Sequence, residues 1–270
     1  MSEFLKILFL GLIQGLTEFL PVSSSGHLVI FQDLLKTNFG NTTLFFDILL
    51  HIATLLAVII YYRKRLYNIL IEFFKIIENR KIDFDNKNQI YVIWIVIASI
   101  PTAIIGLIIE KYEEVFSSSI FAAICLIITG LILYITKFPK IKRFEKIDAK
   151  KSFFIGIIQG LAVLPGISRS GSTISTGIFL KINPVEATEF SFLISIPAII
   201  GAFSLKFIKN FNEIIHSFHL SFLAGFLVAF LSGLWALKFL NILVKKNSFY
   251  KFSYYCFSVG ILTLILKIFL

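Results

Sequence analysis

Apolar residues occur in long blocks: Leu44 to Tyr62, Ile90 to Ile109, Ser118 to Ile135, Phe190 to Phe207, Leu220 to Leu240 and Phe252 to Leu270. Each is close to the roughly 20 residues that cross the hydrocarbon core of a bilayer as a helix. The pattern therefore predicts six full spans and an all-α polytopic membrane protein. Two further apolar stretches are interrupted by a Pro/Ser/Gly cluster. They are Gly11-Leu-Ile-Gln-Gly-Leu-Thr-Glu-Phe-Leu-Pro-Val-Ser-Ser-Ser-Gly26 and Gly156-Ile-Ile-Gln-Gly-Leu-Ala-Val-Leu-Pro-Gly-Ile-Ser-Arg-Ser-Gly171, and both keep twelve positions from Gln to the last Gly. This is a divergent internal repeat, and each copy reads as a broken helix.

Three full spans follow each broken segment. If the broken helices are re-entrant hairpins, the odd number of crossings turns the second copy upside down. The expectation is a single membrane domain over 1–270, with repeat one at 1–136 and repeat two at 152–270 in inverted topology. Charge agrees with that count: the loops 63–89 and 137–151 carry seven Lys/Arg each and, with Lys181, Lys245, Lys246 and Lys251, put 18 of the 26 basic residues on one side. Only Lys6, Lys36, Lys111, Lys206, Lys209 and Lys267 fall on the other. By the positive-inside rule the two loops are cytoplasmic. Within the first, Leu66, Ile69, Leu70, Phe73, Phe74 and Ile77 at helical spacing predict an amphipathic helix on the inner membrane surface.

Composition narrows the class. The chain is 57% hydrophobic and 16% charged, against about 45–50% and 25% in soluble domains. The net charge of +10 is accounted for by orientation, so no nucleic-acid partner is expected; the bilayer is the partner. Cys125 and Cys256 lie singly in separate spans, which predicts packing residues rather than a disulfide or metal pair. Phe4 to Leu20 carries Glu18 and reaches Pro-Val-Ser-Ser-Ser without an Ala-x-Ala site, so it is expected to stay in the mature chain.

Ionisable side chains at membrane depth mark function by default, because burying each costs about 2.5–3.5 kcal/mol on insertion scales. Glu18, His27, Asp47, His51, Arg169 and Glu189 qualify, and Glu18, His27 and Arg169 fall in the two breaks. Around them stand Ser23, Ser24, Ser25, Ser168, Ser170, Ser172 and Thr173, with Gly26 and Gly171 leaving room for close approach. Hydroxyls, helix-start N–H groups and a guanidinium fork suit phosphate. Gln14 and Glu18 share a helix face, and the Pro turn can fold His27 back toward Glu18, supplying an acid–base pair beside a hydroxyl nucleophile. Asp47 and His51, also four apart, read as a supporting pair.

The motifs Gln14-x-x-x-Glu18-Phe-Leu-Pro-Val-Ser-Ser-Ser-Gly-His27 and Pro165-Gly-Ile-Ser-Arg-Ser-Gly-Ser-Thr173 resemble those of the bacterial undecaprenyl pyrophosphate phosphatases associated with bacitracin resistance. The likeness extends to Asp47-Ile-Leu-Leu-His51 with Thr54-Leu-Leu-Ala and to Glu189-Phe-Ser-Phe-Leu with Pro197. It implies hydrolysis of undecaprenyl diphosphate to undecaprenyl phosphate and inorganic phosphate in the bacterial cytoplasmic membrane, at a site facing outward, to recycle the carrier for peptidoglycan synthesis. The implied catalytic residues are Glu18, Ser24, His27 and Arg169, with Ser24 or His27 as nucleophile. The implied substrate-binding residues are Gln14, Ser23, Ser25, Gly26, Ser168, Ser170, Gly171 and Thr173. Mg2+ or Ca2+ is the expected cofactor, on Glu18 with Gln14; the family accepts Glu or Gln at that position, and Gln weighs against a second metal carboxylate. His51-Ile-Ala-Thr stands where the family usually has His-Gly-Thr. A homodimer is left open, as are a transporter or flippase, for which inverted broken helices are a known architecture, and a phosphatidic-acid-type lipid phosphatase, whose Lys-x6-Arg-Pro element is missing.

Overall fold

In the computed structural model, which describes residues 2–35, 42–139, 141, 143–211 and 219–269, every regular element is helical. Short polar side chains set the helix starts by accepting from the orphan N–H groups of the first turn. Ser2 opens α1 (Glu3–Phe19), Ser23 opens α2 (Ser24–Leu34), and α3 (Thr43–Tyr61) and α4 (Arg63–Asn79) follow. Asn86 opens α5 (Lys87–Glu110), the single turn α6 (Glu113–Phe116) follows, and Ser118 opens α7 (Ser119–Ile135). Asp148, Ser168 and Asn183 open α8 (Ala149–Leu161), α9 (Arg169–Phe179) and α10 (Pro184–Lys209). The chain ends with α11 (Leu220–Lys245), a 3-10 turn at Phe249–Lys251 and α12 (Phe252–Phe269).

Five helices are long and apolar enough to cross a membrane: α3, α5, α10, α11 and α12 with its preceding turn. The sixth expected span, α7, has 17 residues, about 25 Å at 1.5 Å per residue. It is shorter than the others because Ser118 caps one end, accepting from Phe121 N at 3.1 Å, and Thr136 closes the other. Lys36, Lys140 and Lys142 of the charge count, and Leu270 of the last block, lie outside the described residues.

The exterior is apolar, and polar side chains are buried among the hydrophobic clusters inside. Gln14, His27, Thr54, Ser175, Ser191 and Ser195 are completely buried, while Ile104 on α5 and Leu231 on α11 are each 55% exposed. Such an interior is stable where the surroundings are hydrocarbon, because polar groups must then find partners inside the bundle. Length, apolar exterior and polar interior together make this a multi-pass membrane protein.

The two broken segments do not pack chiefly on their own halves. Helix α1 lies along α11, α8 lies along α5, and α7 lies along α12. Small residues permit this close approach: a Cβ added to Gly11 would overlap the Gly225 carbonyl oxygen, and one added to Gly156 would overlap that of Ala98. The shared Gly-x-x-Gln-Gly of the repeat is thus a helix-contact motif in both copies. At the end of α1, buried Phe19 meets Phe192 edge-on at 5.6 Å, fixing where the first break begins.

Helix α4 forms as the sequence predicts. Ile69 is buried in a cluster with Tyr91 and Val92, and Leu66 and Ile76 pack against that cluster. Tyr67, Leu70, Phe74 and Ile77 line the outer face and are all more than half exposed. Glu72, buried among these residues, accepts from Lys75, Gln89 and Asn86 at 2.8, 2.9 and 3.0 Å.

Candidate active site

The two breaks meet. Ser23 lies at φ +66°, a left-handed conformation that costs a non-glycine residue of the order of 1 kcal/mol or more and is held only when surroundings over-determine it. Its Oγ accepts from Gly26 N at 3.3 Å, as helix cap, and from Gly166 N at 3.1 Å, across to the second break. Gly166 itself has φ +93°, and its Cα would lie 2.7 Å from a Cβ on Gly26, so a side chain at Gly26 would force the breaks apart, while one at Gly166 would strike Ala122 and Cys125 of α7. Ser170 Oγ adds a 3.4 Å bond to the Leu20 carbonyl.

Glu18 is the centre of the polar cluster. Its Oε2 accepts from Gln14 Nε2 at 3.1 Å and from Ser24 Oγ at 2.6 Å, and its Oε1 accepts from Arg169 Nη2 at 2.5 Å. The carboxylate and guanidinium side chains are 7% and 16% exposed. Arg169 Nη1 and Gln14 Oε1 are buried and have no hydrogen-bond partner among the described residues. Buried donors and acceptors without partners are expensive, so this corner is built to receive something: the free Nη1 suits an anion, and the free amide oxygen suits a cation or donor.

Helices α2 and α9 both start at this point. Their N-terminal turns carry partial positive charge suited to an anion. Ser168 caps α9 through Gly171 N at 3.0 Å and contacts Ser170 Oγ at 3.4 Å, and Gly171 sits where a Cβ would meet Ser168 and Pro21. Ser25 Oγ is 3.4 Å from Ser23 Oγ. Thr173 turns away: its hydroxyl donates to the Arg169 carbonyl at 2.7 Å and lies 2.6 Å from Ser191 Oγ of α10. It braces α9, whereas the sequence grouped it with the residues lining the cage.

His27 has different neighbours from those the sequence suggested. Its Nδ1 donates to the Ser23 carbonyl at 2.8 Å, and its Nε2 accepts from the Tyr255 hydroxyl at 2.9 Å. Ser24, not His27, is the side chain hydrogen-bonded to Glu18. Asp47 and His51 do not form a side-chain pair: His51 Nδ1 bonds the Asp47 backbone carbonyl at 2.8 Å, and the Asp47 carboxylate accepts from Gln32 at 2.9 Å. Glu189 lies away from the breaks, joined to Arg65 at 2.8 Å, while Arg65 also donates to Asn88 at 2.5 Å and covers the Tyr91 ring at 4.6 Å. Cys125 and Cys256 are buried and free.

Two contributors escaped the sequence reading. Thr129 in mid-α7 donates to the Gly166 carbonyl at 2.8 Å and accepts from Ser168 N at 3.0 Å, pinning the second break at both ends. Tyr255 reaches His27 from the last helix. Thr129 stands alone as a polar residue in an apolar run, whereas Tyr255 sits beside Ser253 and Tyr254 and carries no such signal. For a divalent cation, hard oxygens are the relevant donors. Among the described residues no three His, Cys, Asp or Glu cluster, and the oxygens that would meet a cation are those of Glu18 and the unpartnered Gln14 Oε1.

Comparison with known proteins gives the chain's family. A relative named undecaprenyl-diphosphatase in Desulfosudis oleivorans is 43% identical, over 94% of this chain and 95% of that protein. Relatives of the same name in Korarchaeum cryptofilum and Alkaliphilus metalliredigens are 38% and 40% identical, over 96% and 97% of this chain and 97% and 98% of theirs. The family model described as bacitracin resistance protein BacA matches residues 7–262, including both breaks and every residue around Glu18, and the chain belongs to that family.

Proposed function

We propose that the chain is an undecaprenyl-diphosphate phosphatase, releasing undecaprenyl phosphate and inorganic phosphate. The observation that carries this reading is the chain of bonds Ser24–Glu18–Arg169, with Arg169 Nη1 left unpartnered between two helix N-termini. The relatives' shared name supports the same substrate.

Arg169, through its free Nη1, and the N-terminal turns of α2 and α9 hold the diphosphate. Ser24 Oγ attacks the terminal phosphorus as its proton passes to Glu18 Oε2. The bond from that phosphorus to the bridging oxygen breaks, and undecaprenyl phosphate leaves with the bridging oxygen. Water then attacks the phosphoserine, giving inorganic phosphate and restoring Ser24. Most of the rate enhancement comes from positioning and charge stabilisation. Ser24 is favoured over His27 as nucleophile because its hydroxyl donates directly to a carboxylate, whereas both imidazole nitrogens are engaged. Mg2+ or Ca2+ carried by the diphosphate would meet Gln14 Oε1 and Glu18, and when bound would neutralise phosphate oxygens.

The reading extends to topology. Residues 1–136 and 152–270 form two inverted repeats, each a re-entrant hairpin (α1–α2 and α8–α9) followed by three crossings. The reciprocal pairing of α1 with α11 and α8 with α5 supports this, since exchanging the halves maps one contact onto the other. The basic loops then face the cytoplasm and the breaks open outward in the cytoplasmic membrane, where the reaction recycles the carrier for peptidoglycan synthesis and supports bacitracin resistance.

The test is inorganic phosphate release from undecaprenyl diphosphate by purified protein, with Ser24→Ala in parallel. Release by the unaltered protein and its loss in the variant support the reading. Absence of release across Mg2+ and Ca2+ concentrations would sink it in favour of lipid transport.

A further inference from the structure

His27 is completely buried, yet both of its ring nitrogens have partners on different elements. The Ser23 carbonyl can only accept, so Nδ1 carries the proton, and in a neutral ring Nε2 is then the acceptor. Its donor is the hydroxyl of Tyr255, 2.9 Å away and 228 residues along the chain, with the two rings nearly parallel at 8°. The Ser23 carbonyl receives the His27 backbone N–H as well, at 3.2 Å. Ser23 is the left-handed residue that immediately precedes Ser24, so the ring acts on the peptide that sets the direction of the Ser24 side chain.

We propose that Tyr255 is a positioning residue for this reaction: by donating to His27 Nε2 it fixes the imidazole as the Nδ1–H tautomer. That tautomer holds the Ser23 carbonyl and the strained turn that aims Ser24 at Glu18. The inference rests on the phosphatase reading given above. Without the Tyr255 hydroxyl, Nε2 has an unfilled lone pair in a buried site, and the ring gains by moving its proton or rotating. Either change leaves the Ser23 carbonyl with the His27 backbone N–H alone, the longer of its two bonds. The hydroxyl touches neither Glu18, Ser24 nor Arg169, so substrate affinity stays and the chemical step slows. Cys256, the next residue, has its Sγ 3.7 Å from the Pro21 carbonyl, so α12 is already seated against the first break and the aromatic ring of a Phe variant keeps its place.

The decisive experiment is Tyr255→Phe, read in two ways. The first is 15N NMR of histidine-labelled protein, with His27→Gln identifying the relevant imidazole among the four histidines. Unaltered protein should give a neutral ring protonated at Nδ1, with an Nε2 shift that moves on Tyr255→Phe. The second is steady-state kinetics: kcat should fall about tenfold, the scale of one lost neutral hydrogen bond, with KM within about twofold. A proton on Nε2 in the unaltered protein overturns the proposal, as does a Phe variant with unchanged kcat or an unchanged His27 signal. Should the Phe variant not fold, the tautomer of the unaltered protein decides alone. If no phosphate is released by any form, the phosphatase reading fails while the NMR result still reports on the Tyr255–His27 bond.

Discussion

Arg169 Nη2 donates to Glu18 Oε1 at 2.5 Å, joining two residues 151 positions apart across the meeting point of the two breaks. Removing one partner of a buried pair leaves the other charge uncompensated, at about 3–5 kcal/mol. Arg169→Ala should therefore lower the detergent melting temperature more than the double substitution Glu18→Gln/Arg169→Gln, which leaves no formal charge behind. Phosphate release should fall by about a thousandfold or more in both, because the residues act as a unit. Equal melting temperatures for the two proteins would show the pair is not electrostatically coupled.

Gln14 offers an unpartnered amide oxygen beside Glu18. Gln14→Glu supplies a second carboxylate and should shift half-maximal activation by Mg2+ or Ca2+ to lower concentration by about tenfold, a change of roughly 1.4 kcal/mol. Titration of EDTA-treated protein with each cation checks this. An unchanged activation midpoint would exclude Gln14 from the cation's ligands.

The contact between α8 and α5 has no space for a methyl group at Gly156. Gly156→Ala should destabilise by about 1–3 kcal/mol through overpacking, read as a lower melting temperature. Gly201, with open space around it, is the control: a methyl group meets nothing within 4 Å there.

The Lys75 ammonium, with Gln89 and Asn86, holds the Glu72 carboxyl below its ordinary value of 4.5. A lowered carboxylate stabilises above its unfolded pKa and loses that contribution as pH falls through the native value. Attachment of α4 to α5 should therefore be intact at neutral pH and weaken below pH 4.5. Protection of the α4 amides, taken relative to their intrinsic exchange rate at each pH, should fall over that range in the native protein. In Glu72→Gln protection should be lower at neutral pH and show no such fall in acid.

Much of this architecture was readable in the sequence because it depends on local pattern. Blocks of apolar residues gave the spans, Pro/Ser clusters gave the breaks, and Glu18 and Arg169 stood out as charges without an exit. What could not be read depends on which helix lies beside which. The i,i+4 spacing of Asp47 and His51 suggests a supporting pair, but His51 bonds the backbone carbonyl of Asp47 and the Asp47 carboxylate meets Gln32 on α2. Glu189 looked buried and was answered by Arg65, 124 residues earlier. Nothing in the run Phe252 to Leu270 distinguishes Tyr255 from Tyr254, since only the rotation of α12 against α2 decides which hydroxyl finds His27. Similarly, composition does not report the Ser118 cap that limits α7 to 17 residues.

The bond between His27 and Tyr255 also concerns the order in which the molecule is made. A ribosome completes the first break long before it reaches Arg169, and reaches Tyr255 almost last. Until then Glu18 lacks its counter-charge, Ser23 lacks the Gly166 amide, and His27 lacks its outer donor. A nascent first half must keep these groups hydrated, near the bilayer surface or within the insertion machinery. Truncation ahead of α12 would leave the Glu18 and Ser23 partners in the chain and remove only the donor to His27.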